Sequence, residues 1–124
     1  MNVYIKTPAF KLHKNLKISN AIKILSKKYL ERNLYFIIDK RTTPKVSDIN
    51  NGWCYCFAES LRENFPEAKI HEVHFNNIPH AFVEYKGKYY DSETPKGVKN
   101  WKKLPIFRKT LLQKLRQFFT GKSN

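Results

Sequence analysis

Cys54, His80 and Asp91 are the residues whose types and spacing suit nucleophilic chemistry. Cys54 closes a polar loop over 39–52, rich in the turn formers Asp39, Pro44, Ser47, Asp48, Asn50, Asn51 and Gly52, and opens a segment of helical spacing, Cys54–Asn64. The unpaired N–H groups and positive dipole end of a helix start favour a thiolate, which is the nucleophilic form of cysteine. His80 and Asp91 are brought together by hairpin arithmetic. A two-residue turn at Lys86-Gly87 sets Tyr85 opposite Lys88, Glu84 opposite Tyr89, Val83 opposite Tyr90 and Phe82 opposite Asp91. His80, Phe82, Glu84, Tyr89, Asp91 and Glu93 then share one face. His80 and Asp91 are diagonal neighbours with about 7–8 Å between backbones, within reach of an imidazole–carboxylate hydrogen bond. A helix-start cysteine packed on that face would meet the other ring nitrogen, completing a line of nucleophile, base and orienter. Glu93, directly opposite His80, is the rival orienter; Asp91 is preferred because Ser92, Thr94 and Pro95 already break the strand around Glu93. The competing reading makes Cys54 a small buried apolar residue, His80 a structural histidine and Asp91 a turn former.

These residues need elements to hold them. Ser19 is placed to cap a helix over 20–32, with Ile22, Leu25, Tyr29 and Leu30 as its apolar stripe and Lys23, Lys27 and Lys28 facing out. A short strand is expected near 3–5, and 34–38 reads either as a short strand or as an extension of the helix before it. In the Cys54–Asn64 helix, Phe57, Leu61, Cys54 and Ala58 share a face, and Pro66 stops it. Lys69–Phe75 alternates as a strand, Asn76-Asn77 makes a turn, and 81–85 and 88–91 form the hairpin. Residues 99–124 hold eight Lys or Arg and no acidic residue. Phe107, Leu111, Leu115 and Phe118 recur there at helical spacing, with Leu112 and Phe119 beside them, which predicts a basic amphipathic helix of about three turns. The order of elements is that of a single α+β domain over 1–124, with a catalytic-like core over about 18–105 and a basic amphipathic segment over 106–124.

A chain of 124 residues supports one hydrophobic core. Its 41% hydrophobic and 15% aromatic residues exclude a disordered chain. No apolar run approaches the roughly 20 residues of a membrane span, and the start lacks a signal-peptide core, so a cytoplasmic location is expected. Cys54 and Cys56 stand two apart, too close for an ordinary stapling disulfide and outside zinc-type spacing; free thiols suit a reducing compartment. His71 and His74 lie three apart on a strand and point to opposite faces, which opposes joint ligation with His80, so no metal and no cofactor is expected. The formal charge of +14 gives a positive field that attracts acidic partners. Arg108, Lys109, Lys114 and Arg116 form the basic surface of the last helix. Covering the sheet, docking on nucleic-acid phosphates and lying on anionic membrane remain open for that helix.

Gly52-Trp53-Cys54-Tyr55-Cys56-Phe57-Ala58 resembles the Gly-x-Cys-x-x-Phe-Ala stretch around the nucleophile of transglutaminase-like proteins, and is similar to the Cys-Trp-Ala-Phe stretch of papain-like peptidases. His80-Ala81-Phe82-Val83-Glu84-Tyr85 followed by Tyr89-Tyr90-Asp91 resembles the histidine and aspartate strands of that superfamily. The likeness extends loosely over 48–104, including Gly97-Val98 and Trp101-Lys102-Lys103-Leu104-Pro105. It implies a papain-like or transglutaminase-like core, a nucleophile-bearing helix packed on a small antiparallel sheet, and thiol acyl-transfer chemistry. Cys54 takes the nucleophile position, since the nucleophile of the pattern stands three residues before the Phe, and Cys56 falls in a free position. Small proteins of this pattern are common in phage genomes, which implies a phage origin and action in the host cytoplasm. The glutamine that papain-like peptidases place upstream to complete the oxyanion hole is missing between Asn33 and Cys54. Asn50 or Asn51 would donate instead, beside the backbone N–H of Cys54.

The sequence thus predicts a thiol-dependent acyl-transfer enzyme acting on a protein or peptide, with Trp53, Tyr55 and Tyr89 as candidate pocket residues. Peptidase, deamidase and transglutaminase chemistry share these residues and remain alternatives. The different class is a non-catalytic basic protein on the same fold that binds nucleic acid or inhibits a host factor. Oligomeric state is not legible.

Overall fold

The computed structural model of the chain describes Leu12 and residues 15–32 and 45–108. Three α-helices are α1 (Ile18–Arg32), α2 (Val46–Ile49) and α3 (Cys54–Asn64); three strands are β1 (Lys69–Phe75), β2 (Ile78–Tyr85) and β3 (Lys88–Tyr90), followed by a 3-10 helix (Trp101–Lys103). Helical backbone resumes over 105–108. The expected strand near 3–5 and the segment 34–38 lie outside the described residues, as does the last helix beyond Arg108.

The sheet is antiparallel in the order β1-β2-β3. Asn76 and Asn77 turn between β1 and β2 with φ of 54° and 63°, and Lys86 and Gly87 between β2 and β3 with 49° and 81°. Two successive left-handed residues match the right-handed twist of the flanking strands, which explains both tight turns. The register follows the expected pairing, Val83 with Tyr90, Glu84 with Tyr89 and Tyr85 with Lys88. Strand β2 begins at Ile78, so Pro79 lies within it, opposite His74. An isolated bridge from Tyr89 to Val98 extends the pairing beyond β3. Gly97 makes it possible: at φ +75°, a Cβ there would stand 2.7 Å from the Tyr90 ring.

Helix α1 begins at Ile18, not after a Ser19 cap. Ile18 is itself buried in the core, and Ala21 N–H bonds the Lys17 carbonyl, so the helix gains a turn at its start. Its stripe is as expected: Ile22, Leu25 and Tyr29 are buried, while Lys23, Lys27 and Lys28 are exposed. The loop expected over 39–52 contains α2. Asp48 Oδ2 accepts the Lys45 N–H at 2.7 Å, so the residue read as a turn former instead closes the first turn of a short helix.

In place of one core there are two apolar clusters sharing β2. One joins Ile22, Leu25 and Tyr29 of α1 to Phe57, Ala58 and Leu61 of α3, with Val83 and Tyr90 of the sheet. The other joins Phe82 to Leu104 and Phe107, with Trp101, Phe75 and Tyr89 packed around them. Each fully buried side chain of this size contributes about 1.5–3 kcal/mol. Alternation along β2 puts Val83 on one face and His80 with Phe82 on the other. Helix α3 therefore lies on the face opposite His80, not on the histidine face as expected; the aromatic residues of 101–107 occupy that side instead.

Candidate active site

Three elements supply the site. Cys54 is the first residue of α3, and its N-cap is Trp53, which makes no side-chain cap hydrogen bond. An indole has only a donor, so it offers nothing to the first-turn N–H groups. Gly52, at φ +108°, turns the chain into that helix. His80 is the third residue of β2. Asp91 follows β3, where the chain leaves the sheet.

The imidazole and carboxylate meet as the hairpin register predicts: His80 Nε2 lies 3.0 Å from Asp91 Oδ2, with both side chains buried. A carboxylate only accepts, so Nε2–H donates. The other oxygen of Asp91 accepts the Glu93 N–H at 3.0 Å and the Thr94 hydroxyl at 2.8 Å. That arrangement locks the carboxylate orientation, and the ring follows. Glu93 is not the orienter: its backbone supports Asp91, and its carboxylate receives Asn50 Nδ2 at 3.5 Å. The supporting role of Thr94 was missed in the sequence; the Asp-x-x-Thr spacing at a strand end, which favours an Asx turn, was its available signal.

The protonation of the buried ring is set by its neighbours. Burial disfavours the imidazolium and is the largest single influence on His80. The hydrogen bond to Asp91 and the nearness of the Cys54 thiol, with the charges of both groups, together outweigh it, and the pKa is raised from 6.5 to about 9. Since Nε2 is held by Asp91, Nδ1 is the nitrogen left for the thiol. Nδ1 has no partner in aligned hydrogen-bond geometry. Phe82 and Phe107 flank the imidazole, with ring centroids 5.7 Å and 5.6 Å away. Phe82 shares the His80 face by the hairpin register, whereas the approach of Phe107, which the sequence places only in a helical stripe, is not legible from spacing.

Other expected site residues fall elsewhere. Asn50 is buried, but its amide oxygen accepts from Ser92 Oγ at 3.4 Å and its nitrogen serves Glu93, so it braces the Asp91 turn. Asn51 is exposed. Trp53 is buried in the core with its ring 6.3 Å from that of Tyr29, and Tyr89 packs on Phe82 and His71. Tyr55 is half-buried. Neither the cavity lined by Lys23, Ser26 and Glu93 nor that lined by Leu16, Phe65 and Tyr85 is bounded by Cys54, His80 or these three aromatics. Cys56 points into the core, where its sulfur lies 3.0 Å from the Tyr29 hydroxyl. His71 Nε2 lies 2.9 Å from Glu84 Oε1 and His74 is exposed on β1. Among the described residues no three His, Cys, Asp or Glu stand together as metal ligands. Arg108 is exposed; Lys109, Lys114 and Arg116 lie outside the described residues. No helix among the described residues is long and apolar enough to cross a membrane.

The described residues define an α+β protein with a three-stranded antiparallel sheet, at whose margin a buried imidazole and a carboxylate meet. A family model described as Phage YunG-like protein matches residues 30–117, and the chain belongs to that family. The match spans Cys54, His80 and Asp91. No curated protein and no solved structure matches the chain.

Proposed function

We propose that the chain is a small thiol-dependent acyl-transfer enzyme of the papain-like or transglutaminase-like kind, phage-encoded and acting on a protein or peptide in the host cytoplasm. One observation supports this reading: a fully buried imidazole bonded through Nε2 to Asp91, with Nδ1 left without a hydrogen-bond partner in the protein. With a pKa near 9, His80 is protonated at neutral pH, and the reactive pair is that imidazolium with the thiolate form of Cys54. The thiolate attacks an amide carbonyl carbon, forming a C–S bond. The developing oxyanion is met by the Cys54 backbone N–H, since Asn50 is committed to Ser92 and Glu93. His80 passes its Nδ1 proton to the leaving nitrogen as the C–N bond breaks, leaving a thioester. Water or an amine then adds to the thioester, losing a proton to His80, and the C–S bond breaks to release the acid or the new amide. Asp91 holds Nε2–H throughout. An unpartnered Nδ1 suits a site that completes its hydrogen bonds when substrate arrives.

Iodoacetamide labelling at pH 7, read by peptide mass spectrometry, tests the proposal. Cys54 of the wild type is expected to react at least about tenfold faster than Cys56, and His80→Ala to abolish the difference. Equal rates at the two cysteines in the wild type would sink it.

A second reading is favoured by burial: Cys54 is 3% and His80 0% exposed. The fold would then be a non-catalytic scaffold whose +14 charge binds nucleic acid or an acidic host factor. Binding to a DNA duplex that falls steeply with salt and survives Cys54→Ala supports this reading over the enzyme.

A further inference from the structure

A cavity of about 320 Å³ opens at the start of α1, lined there by Lys17 and Ile18, by Phe65 after α3, and by Tyr85, Lys86 and Tyr90 of the β2–β3 hairpin. Its volume is at the small end of the range for ligand sites, about 300–1,000 Å³. Tyr90 is its buried polar group. The residue is only 7% exposed, and its hydroxyl has no hydrogen-bond partner among the described residues. Unlike the unpartnered atoms of Ser26, Trp53 and His80, the Tyr90 oxygen is not sealed from solvent. A Cβ at Gly97 would stand 2.7 Å from the Tyr90 ring, so the phenol is held along that edge and does not swing freely. Tyr85 is its diagonal neighbour on the same face, since Tyr85 faces Lys88 and Val83 faces Tyr90. Burial first, and the Tyr85 phenol second, raise the pKa of Tyr90, which keeps it a protonated donor at neutral pH. Buried hydroxyls are ordinarily satisfied, so this one awaits an acceptor from the cavity.

The start of α1 supplies further donors. The Lys17 carbonyl takes the Ala21 N–H, which puts Lys17 at the cap position. A lysine side chain has no acceptor to offer the helix, and the first turn holds no acidic residue. The N–H groups of Ile18, Ser19 and Asn20 have no acceptor among the described residues. Lys17 is exposed beside them, and Lys86 Nζ stands 5.2 Å from the centre of the Tyr85 ring. Phe65 and Tyr85 meet edge to face at 5.4 Å and form the apolar wall. The chain leading into α1, residues 1–17, contains no Asp or Glu, and Asp39 is the only acidic side chain outside the described residues.

We propose that this cavity binds the phosphate group of a small phosphomonoester with an aromatic body. The phosphate oxygens accept from the helix-start N–H groups, the Tyr90 hydroxyl and the two ammonium groups, while the body rests on Phe65 and Tyr85. Helix starts favour phosphate through their free N–H groups and positive dipole end. The donors come from a helix, a strand and a turn, which suits a tetrahedral anion with three terminal oxygens better than a flat carboxylate with two. Neither Cys54 nor His80 lines the cavity, so the site does not rest on the thiol chemistry proposed above.

The test is a ¹H–¹⁵N titration of the full chain in about 0.15 M salt, which screens the general attraction of a +14 chain for anions. Phenyl phosphate is expected to saturate with a Kd below about 1 mM and to shift the amides of 18–20 and 85–90. Inorganic phosphate should shift the same amides about tenfold more weakly, since it forgoes the aromatic wall. Phenol and dimethyl phosphate, which lack the dianion, should not saturate by about 10 mM. Tyr90→Phe deletes only an oxygen that holds nothing in the protein, so the fold persists and phenyl phosphate should bind about fivefold to tenfold more weakly. Lys17→Ala/Lys86→Ala should weaken it at least about tenfold. Lys102→Ala/Lys103→Ala removes the same charge from the 3-10 helix and should leave the affinity unchanged. Full affinity in Tyr90→Phe, equal weakening by the 3-10 helix variant, or shifts that map elsewhere would each overturn the site. Phenol as tight as phenyl phosphate would remove the anion from the proposal, inorganic phosphate as tight would remove the aromatic body, and dimethyl phosphate as tight would mean a nucleic-acid backbone in place of a monoester; each sinks it.

Discussion

At the scale of single residues, the pair His80–Asp91 makes stability depend on pH in a definite direction. The folded imidazole has a pKa of about 9 against 6.5 for an unconstrained one. The folded state therefore holds a proton that the unfolded chain has lost throughout that interval. The stabilisation is fully present below pH 6.5 and disappears as pH rises through 9. A shift of this size corresponds to roughly 3 kcal/mol. Urea unfolding is expected to show stability falling by that order between pH 6.5 and 9.5. Asp91→Asn removes the hydrogen-bonding charge that opposes burial, so the His80 midpoint should drop by at least about one unit in imidazole ¹⁵N spectra, and the pH-dependent fall should shrink with it. A wild-type stability flat across that window would mean that His80 is neutral in the folded protein.

At the scale of elements, tight backbone approaches decide what the sheet tolerates. Gly97 combines a left-handed φ of +75° with a Cβ position 2.7 Å from the ring of Tyr90, which is itself buried. Gly97→Ala should cost roughly 2–4 kcal/mol, from backbone strain and overpacking together. Gly87 has a similar φ of +81° but open space around its Cβ position, so Gly87→Ala should cost only about 1–2 kcal/mol. Equal costs in urea unfolding would show that the ring moves aside freely. The same elements explain what could be read from the sequence. Lys86-Gly87 carries a local turn code, and a two-residue turn leaves only one register, so the meeting of His80 with Asp91 follows by counting. Cys54–Asn64 is similarly bounded, by Gly52 before it and Pro66 after it. The face on which α3 packs has no such local code. It depends on whether α1 or the 101–107 segment covers a given side of β2, and both carry enough apolar residues to do so. For the same reason Trp53 and Asn50, whose types suit a pocket or an oxyanion hole, are claimed by Tyr29 and by Ser92 and Glu93. Helix α2 was hidden because Asp48 suits a turn and a helix start equally.

At the scale of the whole molecule, covering both faces of a three-stranded sheet closes the site. Phe107 is 1% exposed and touches Phe75, Trp101 and the His80 ring, so the imidazole is sealed by the segment after the 3-10 helix. A catalytic thiol in such a molecule has to become accessible by local opening, whereas a structural thiol is reached only when the whole fold comes apart. The two cysteines supply their own comparison. Cys56 is fixed in the α1–α3 core against Tyr29, and its alkylation should follow global unfolding. Its logarithmic rate should then rise with urea in proportion to a global slope of about 1–3 kcal/mol per molar. Cys54 is the first residue of α3, and fraying of a helix start exposes little surface. Its rate should stay nearly flat in low urea and join the Cys56 line only near the unfolding midpoint. Phe107→Leu, which trims the cover but keeps it apolar, should accelerate Cys54 several-fold at zero urea while moving Cys56 only by the loss of global stability. If both cysteines share one urea slope from the start, the thiol belongs to a closed core, and the basic scaffold is the better account of this fold.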